Sequence, residues 1–208
     1  MITQAELDEL WDFEDARGSA TRFAAAADNT SRPLCERLEL ATQLARALGL
    51  QDRFDDAHAA LDSIGDADDA VVRTRVALER GRLRNSGGDA ATAIPLFEQA
   101  TAIARDHGLD FLEIDALHML AIADRERSAS WAARGIERAL QASDPRTRRW
   151  LVSLNNNVGW SRMDAGDPRA ALDAFREAAR WAEEVGTEQQ REWAREAIDE
   201  CEAAIARD

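Results

Sequence analysis

The sequence predicts an all-α fold, a solenoid of stacked antiparallel helix pairs. A repeat is the main observation: the Gly-Asp opening and the Ala, Phe and Ala spacing of residues 88–100 recur in residues 166–178, 78 positions later. Ala132, Ile136 and Ala139 hold the same three places halfway between, so the repeat unit has 39 residues. The second observation is that apolar residues recur every three or four positions, as in amphipathic helices. Such units bury their apolar faces by stacking on one another.

Two helices form each predicted unit, and turn residues separate them. Gly65 is predicted to end the second helix of the first repeat as a left-handed cap. The dipeptides Asp144–Pro145 and Asp167–Pro168 each predict a helix start, with a capping side chain before a proline in the first turn. The predicted helices cover residues 34–48 and 54–64, 70–85 and 90–106, 111–126 and 130–142, and 145–164 and 168–185.

We expect one domain, because prolines are scarce (4 in 208 residues) and no Ser- or Gly-rich linker interrupts the helical pattern. Its predicted parts are a degenerate N-terminal helix pair (1–33), four repeats (34–65, 70–108, 109–143 and 144–186) and a capping helix (188–208). The capping helix is predicted to turn Trp193, Ala197 and Cys201 toward the last repeat. We expect core packing for Trp131, Trp150, Trp181 and Trp193.

The charge of the chain argues against nucleic acid and membranes as partners. The formal net charge is −14, whereas phosphate binding needs a cationic surface. No run of 18 apolar residues is present, and the N-terminus lacks the basic start and apolar core of a signal peptide. Cys35 and Cys201 show no metal-ligand spacing and are predicted to be reduced thiols of a cytoplasmic protein.

Catalytic and cofactor motifs are missing from the sequence. His58, His107 and His118 are scattered, and no glycine-rich phosphate loop with a following lysine occurs. Neither cysteine has a local base that would activate it as a nucleophile. We therefore expect no metal, no cofactor and no enzyme activity, unless residues distant in sequence converge.

The repeats resemble the tetratricopeptide repeat (TPR) family. The matching second-helix trios are Ala93-Phe97-Ala100, Ala132-Ile136-Ala139 and Ala171-Phe175-Ala178, with a weaker trio Ala57-Leu61-Ile64. The first helices carry the family's large-then-small pair as Leu44-Ala45, Met119-Leu120 and Val158-Gly159. The resemblance covers roughly residues 34–186 and implies a right-handed α-solenoid.

The length of the unit points to a subgroup of this family. The usual TPR period is 34 residues, so units of 39 resemble the extended repeats of kinesin-light-chain-like proteins, as does the run Asn155-Asn156-Asn157. Arg80 and Asn155 depart from the family pattern, because they occupy places that are normally apolar. Either these side chains reach outward from the helix contact or the register of their helices is shifted.

The resemblance also implies a binding surface, because in this family the first helix of each pair lines the concave side. Carried onto this chain, the family register places four pairs spaced i, i+4 on that side, each on one helix face. The pairs are Thr42 and Arg46, Leu78 and Arg82, Leu117 and Ala121, and Asn156 and Trp160. The adjoining row is Gln43, Glu79, His118 and Asn157. The candidate binding residues are Arg46, Glu79, Arg82, His118, Asn156, Asn157 and Trp160.

The chemistry of these residues suggests a peptide ligand. Arginine suits carboxylates, asparagine amides can bond to a peptide backbone, and Trp160 offers a flat apolar contact. Our hypothesis is a groove for a peptide or protein tail with an acidic or C-terminal carboxylate group. Structural roles stay open: solvated surface for Arg46 and Arg82, helix bridging for residues 155–157, and an ordinary partly buried histidine at His118.

The function we predict is a non-catalytic protein–protein interaction module that binds a peptide segment or protein partner in the concave groove. One alternative is a regulatory sensor, in which a small molecule or signalling peptide changes the curvature of the solenoid. No output domain is expected within the 208 residues, which favours the plain binding module. The other alternative is a structural homo-oligomer whose repeats serve self-association.

Overall fold

The computed structural model describes residues 2–207, and over that range it contains helices and no strand. The all-α class predicted from the repeat is therefore confirmed. The helices are α1 (Gln4–Leu10), α2 (Ala16–Asp28), α3 (Leu34–Gly49), α4 (Phe54–Asp62), α5 (Ala70–Ser86), α6 (Ala90–Asp106), α7 (Asp110–Ala123), α8 (Ser128–Gln141), α9 (Pro145–Arg148), α10 (Trp150–Asp164), α11 (Pro168–Val185) and α12 (Glu188–Ile205). Among them, none is both long and apolar enough to cross a membrane.

The chain divides into two compact units, the first ending at Leu112 and the second beginning at Glu113. In the first unit, α3 packs against α2, α4 and α5, and α5 packs against α6. Its core includes the fully buried side chains of Phe23, Leu40 and Leu61. Short turns join α3 to α4 and α5 to α6, so these neighbours are antiparallel helix pairs.

The second unit repeats this arrangement. Helix α10 packs against α8 and α11, and α11 packs against α12. Ile114, Leu151 and Leu154 belong to one apolar cluster, and Phe175 and Cys201 belong to another. The last helix therefore covers the apolar face of α11.

Two glycine–phenylalanine contacts set the distance within helix pairs. A Cβ atom added at Gly81 would overlap the ring of Phe97, and one added at Gly159 would overlap the ring of Phe175. Both rings are fully buried. These contacts place the small residue of the first helix against the large residue of the second, as the repeat pattern predicts.

The two polar departures from the repeat pattern leave the register unchanged. Arg80 reaches outward, and its guanidinium lies 2.7 Å from Asp62 Oδ1. The Asn155 amide donates to the carbonyl of Leu151, one turn back on its own helix, at 2.7 Å. Of the two explanations for these residues, the structure therefore favours outward or self-bonded side chains over a shifted register.

Helix starts and stops follow the predicted caps with two differences. Asp144 and Asp167 accept backbone N–H groups at the starts of α9 and α11, and Gly65 has a φ of +66°. The helix predicted over 145–164 is interrupted at Arg149, whose carbonyl accepts from Val152 N at 3.1 Å, a tighter i to i+3 turn. Helix α7 ends at Ala123, because Asp124 accepts the N–H of Arg127 and closes a turn there.

The expected packing of Trp193 is wrong. Its side chain is 55 % exposed, and the buried face of α12 consists of Ala194, Ala197 and Cys201. The reason is geometric, since small residues spaced three and four apart allow α12 to approach α11 closely and turn the neighbouring indole outward. Trp131 and Trp181 are buried, as expected.

Candidate functional site

In the first unit, two neighbouring helices carry polar side chains at matching positions. Each set is spaced i, i+4 and i+7, which places its members on one helix face. Each residue of the second set lies 36 positions after its counterpart in the first. The sets are Glu39, Gln43 and Arg46 on α3, and Arg75, Glu79 and Arg82 on α5.

Four charged members of these sets form ion pairs, and three of the four are buried. Glu39 is 1 % exposed, and its Oε2 lies 3.6 Å from Arg75 Nε, which joins α3 to α5. Glu79 is 2 % exposed and forms an ion pair with Arg82, one turn later on the same helix. Within residues 2–207, Glu79 Oε2 is buried with no hydrogen-bond partner. Because removing one partner leaves a buried charge uncompensated, these pairs are stable only when complete.

Arg46 is covered by two aromatic rings from the N-terminal segment. Its guanidinium lies 5.7 Å from the centre of the Trp11 ring and 5.8 Å from that of Phe13. The two rings stack on each other at 4.7 Å, and Trp11 Nε1 donates to Gln43 Oε1 at 3.0 Å. Arg46 is therefore held in a cation–π contact instead of lying on a freely solvated surface.

In the second unit, two candidate residues meet directly. Asn157 Nδ2 on α10 donates to His118 Nε2 on α7 at 2.8 Å, with the amide oriented so that the ring nitrogen accepts. The His118 ring also lies 5.2 Å from that of Trp150. The contact joins equivalent positions of successive first helices, 39 residues apart.

The remaining two candidates differ in their surroundings. Asn156 borders a small pocket on the surface of the second unit. Trp160 is half-buried and meets the ring of Phe175 edge-on at 5.1 Å, within an apolar cluster. Part of the Trp160 side chain therefore stabilises the core, whereas Asn156 faces space that a ligand could enter.

The structure thus distributes the seven candidates over both units. Arg46, Glu79 and Arg82 lie in the first unit, and the other four lie in the second. Sequence reasoning did not connect Trp11 and Phe13 with Arg46, because both lie outside the repeats and no period relates them to α3. In the part of the chain that the structure describes, no cluster of His, Cys, Asp or Glu could hold a metal ion.

Comparisons with known proteins identify the fold and no family. No protein-family model matches the chain, and no curated protein sequence matches it. Among solved structures, the chain is similar to the crystal structure of BtubC (BKLC) from P. vanneervenii, a kinesin light chain-like protein, with a TM-score of 0.66. The match covers 95 % of this chain and 89 % of BtubC at 16 % sequence identity. At this identity the likeness shows a TPR-like helical-repeat fold.

Proposed function

We propose that this chain is a non-catalytic interaction module that binds a peptide segment or protein partner through polar side chains on the first helices of its pairs. The observation that carries the proposal is the hydrogen bond between His118 and Asn157, 39 residues apart. It supports a row of polar side chains in the second unit, because equivalent positions of neighbouring first helices touch there. The packed faces of helices are mostly apolar, so polar side chains at equivalent positions of two first helices favour a binding role there.

The same proposal includes a family and a location. We assign the chain to the TPR proteins with extended repeats of the kinesin-light-chain type, acting in the cytoplasm. The 39-residue unit and the asparagine run on α10 support the assignment, and the fold likeness to BtubC agrees with it.

Each group of candidate residues has a proposed role. Arg46 and Arg82 contact an acidic side chain or C-terminal carboxylate of the partner. Arg82 binds this carboxylate while it stays paired with Glu79. Asn156 and Asn157 bond to the partner's backbone, since an amide both donates and accepts. Trp160 and His118 line the same faces and provide ring contacts.

Selection from random peptides tests this function even though the partner is unidentified. Phage-displayed dodecapeptides are selected on the full chain, and a synthetic consensus peptide is titrated by fluorescence anisotropy. We expect Arg46→Ala and Asn157→Ala each to weaken the peptide about tenfold, which corresponds to about 1.4 kcal/mol.

Matched controls keep the result specific. Arg105→Ala removes an arginine that is exposed at the end of α6, and Asn85→Ala removes an asparagine outside the candidate set. Both should leave the affinity unchanged. The proposal fails if no peptide sequence is enriched, or if the candidate variants bind as tightly as the controls.

A further inference from the structure

The exposed Trp193 borders a pocket in the second unit. The pocket lies between three helices, and α12, which we predicted only as a cap, forms one wall. Its lining includes Val152, Ser153 and Asn156 of α10, Ala178 of α11, and Gln190 and Trp193 of α12. Val152 and Ala178 are buried, so the floor is apolar and the rim is polar or aromatic.

The polar groups at the rim have hydrogen-bonding capacity to spare. Gln190 Oε1 accepts the N–H of Thr187 in a capping box, which orients the amide and leaves its NH₂ group without a partner among the described residues. Over the same residues, neither the Ser153 hydroxyl nor the Asn156 amide makes a side-chain hydrogen bond within the protein. Three neutral donor and acceptor groups therefore surround an apolar floor.

Among the described residues, no charged one lines this pocket, although 32 % of the chain is charged. An ionic group of a ligand would lose water there and find no counter-charge, so it would be disfavoured. An uncharged apolar side chain would contact the indole and the floor, and a neighbouring backbone amide would reach Asn156 and Gln190. A large aromatic residue at the edge of a pocket is the type of residue that most often dominates an interface.

We infer that this pocket is a subsite for an uncharged stretch of the partner peptide, with an apolar side chain on Trp193 and a backbone amide bonded to Asn156 and Gln190. The inference rests on the proposed function, which it extends from the first helices of the pairs to α12. Trp193 also follows Asn157 by 36 positions, the offset that separates Gln43 from Glu79. This offset is the sequence signal that would have placed Trp193 beside the candidate row.

The test uses the random-peptide selection on the full chain, followed by titration of the consensus peptide. We expect this peptide to contain an uncharged stretch of three or more residues with one apolar side chain. Trp193→Ala should weaken it at least tenfold and Asn156→Ala about fivefold, whereas Trp193→Phe should stay within threefold of wild type. Leu140→Ala is the matched control, because Leu140 is an exposed apolar residue of the same unit outside the pocket.

The outcomes separate this inference from the function on which it rests. Peptides that are weakened by Asn157→Ala and not by Trp193→Ala would overturn the subsite and leave the proposed function standing. A chain that enriches no peptide would overturn both. Sedimentation velocity supplies one more outcome: a dimer that Trp193→Ala dissociates would mean that a second copy covers the pocket, and the peptide subsite would be wrong.

Discussion

The first helices of the two units are linked in different ways, one helix turn apart in the repeat pattern. In the first unit, Glu39 and Arg75 join α3 to α5 as a buried ion pair, with the Glu79–Arg82 pair beside it. In the second unit, a neutral hydrogen bond between His118 and Asn157 joins α7 to α10. Both units therefore have a polar link between successive first helices, but its place on the helix and its chemistry differ. An ionic link depends on both partners, whereas a neutral one tolerates the loss of either at lower cost.

Replacing the buried phenylalanine of a helix pair tests a contact that both units share. This change should have the largest effect on the free energy of unfolding. Phe97→Ala and Phe175→Ala each empty a fully buried ring site, so we expect each to lower the free energy of unfolding by about 3–5 kcal/mol. Urea denaturation followed by circular dichroism measures this. Leu140→Ala, an exposed control, should change it by less than about 0.5 kcal/mol. Very different costs for the two phenylalanines would show that the units do not depend equally on this contact.

Breaking the buried ion pair of Glu79 and Arg82 within α5 should cost less than this and more than breaking the neutral link of the second unit. Arg82→Ala leaves the buried carboxylate of Glu79 without its counter-charge, and we expect a loss of about 3 kcal/mol in the free energy of unfolding. The double variant Glu79→Met/Arg82→Met removes both charges and should recover most of that loss. A double variant no more stable than Arg82→Ala would mean that the charge of Glu79 is not the cause.

The neutral link should be worth about 1 kcal/mol. A double-mutant cycle of His118→Ala and Asn157→Ala isolates the interaction from the packing of each side chain. We expect a coupling free energy near 1 kcal/mol from urea denaturation. A coupling near zero would mean that the 2.8 Å contact contributes nothing in solution.

The pH dependence of the free energy of unfolding should have opposite signs for Glu39 in the first unit and Asp124 in the second. It should be the smallest of the four effects. Burial raises the pKa of Glu39, and the charge of Arg75 opposes this shift. Protonation of Glu39 therefore stabilises the folded state. This contribution is fully present below the unfolded pKa of about 4.3 and is lost as pH rises through the folded pKa. In the second unit, the hydrogen bond from Trp131 lowers the pKa of Asp124. Its contribution is therefore present above the unfolded pKa of about 3.9 and is lost as pH falls through the folded pKa.

Two variants measure these signs through urea denaturation between pH 3 and pH 8. Glu39→Gln should gain stability relative to wild type as pH rises, and Asp124→Asn should approach wild type as pH falls. Leu140→Ala gives the pH profile of a variant with no change in ionisable groups. Parallel profiles for the first two variants would contradict the assigned directions.

The fold could be predicted from the sequence because its signals are local. The Ala, Phe and Ala spacing places three side chains on one helix face, and the glycines 16 residues before Phe97 and Phe175 allow close approach. These features depend on helix geometry and on small side chains. Because such side chains have few conformations, their contacts follow from the spacing in the sequence. The same reasoning predicted the caps at Asp144 and Asp167.

The surroundings of the candidate residues could be predicted only in part. The 39-residue period predicted that His118 and Asn157 occupy equivalent positions, and they touch. It could not predict that Arg82 pairs with Glu79 or that Trp11 and Phe13 cover Arg46, because long side chains choose among several partners of similar energy. The outward position of Trp193 depends on which face of α12 meets α11: the 36-residue offset from Asn157 favours the outward face, whereas the apolar spacing of α12 favours burial.

The packing of Phe97 against Gly81 restricts which amino-acid substitutions the chain can tolerate at these positions. In each of the four repeats, the central large residue of the second helix lies 16 positions after a corresponding residue of the first helix, which is the smaller of the two in three repeats. Glycine is matched by phenylalanine at 81/97 and 159/175, alanine by leucine at 45/61, and leucine by isoleucine at 120/136. Paired substitutions at these positions should therefore preserve stability when one side chain grows and the other shrinks by a similar volume. A single larger side chain at either position should destabilise the fold.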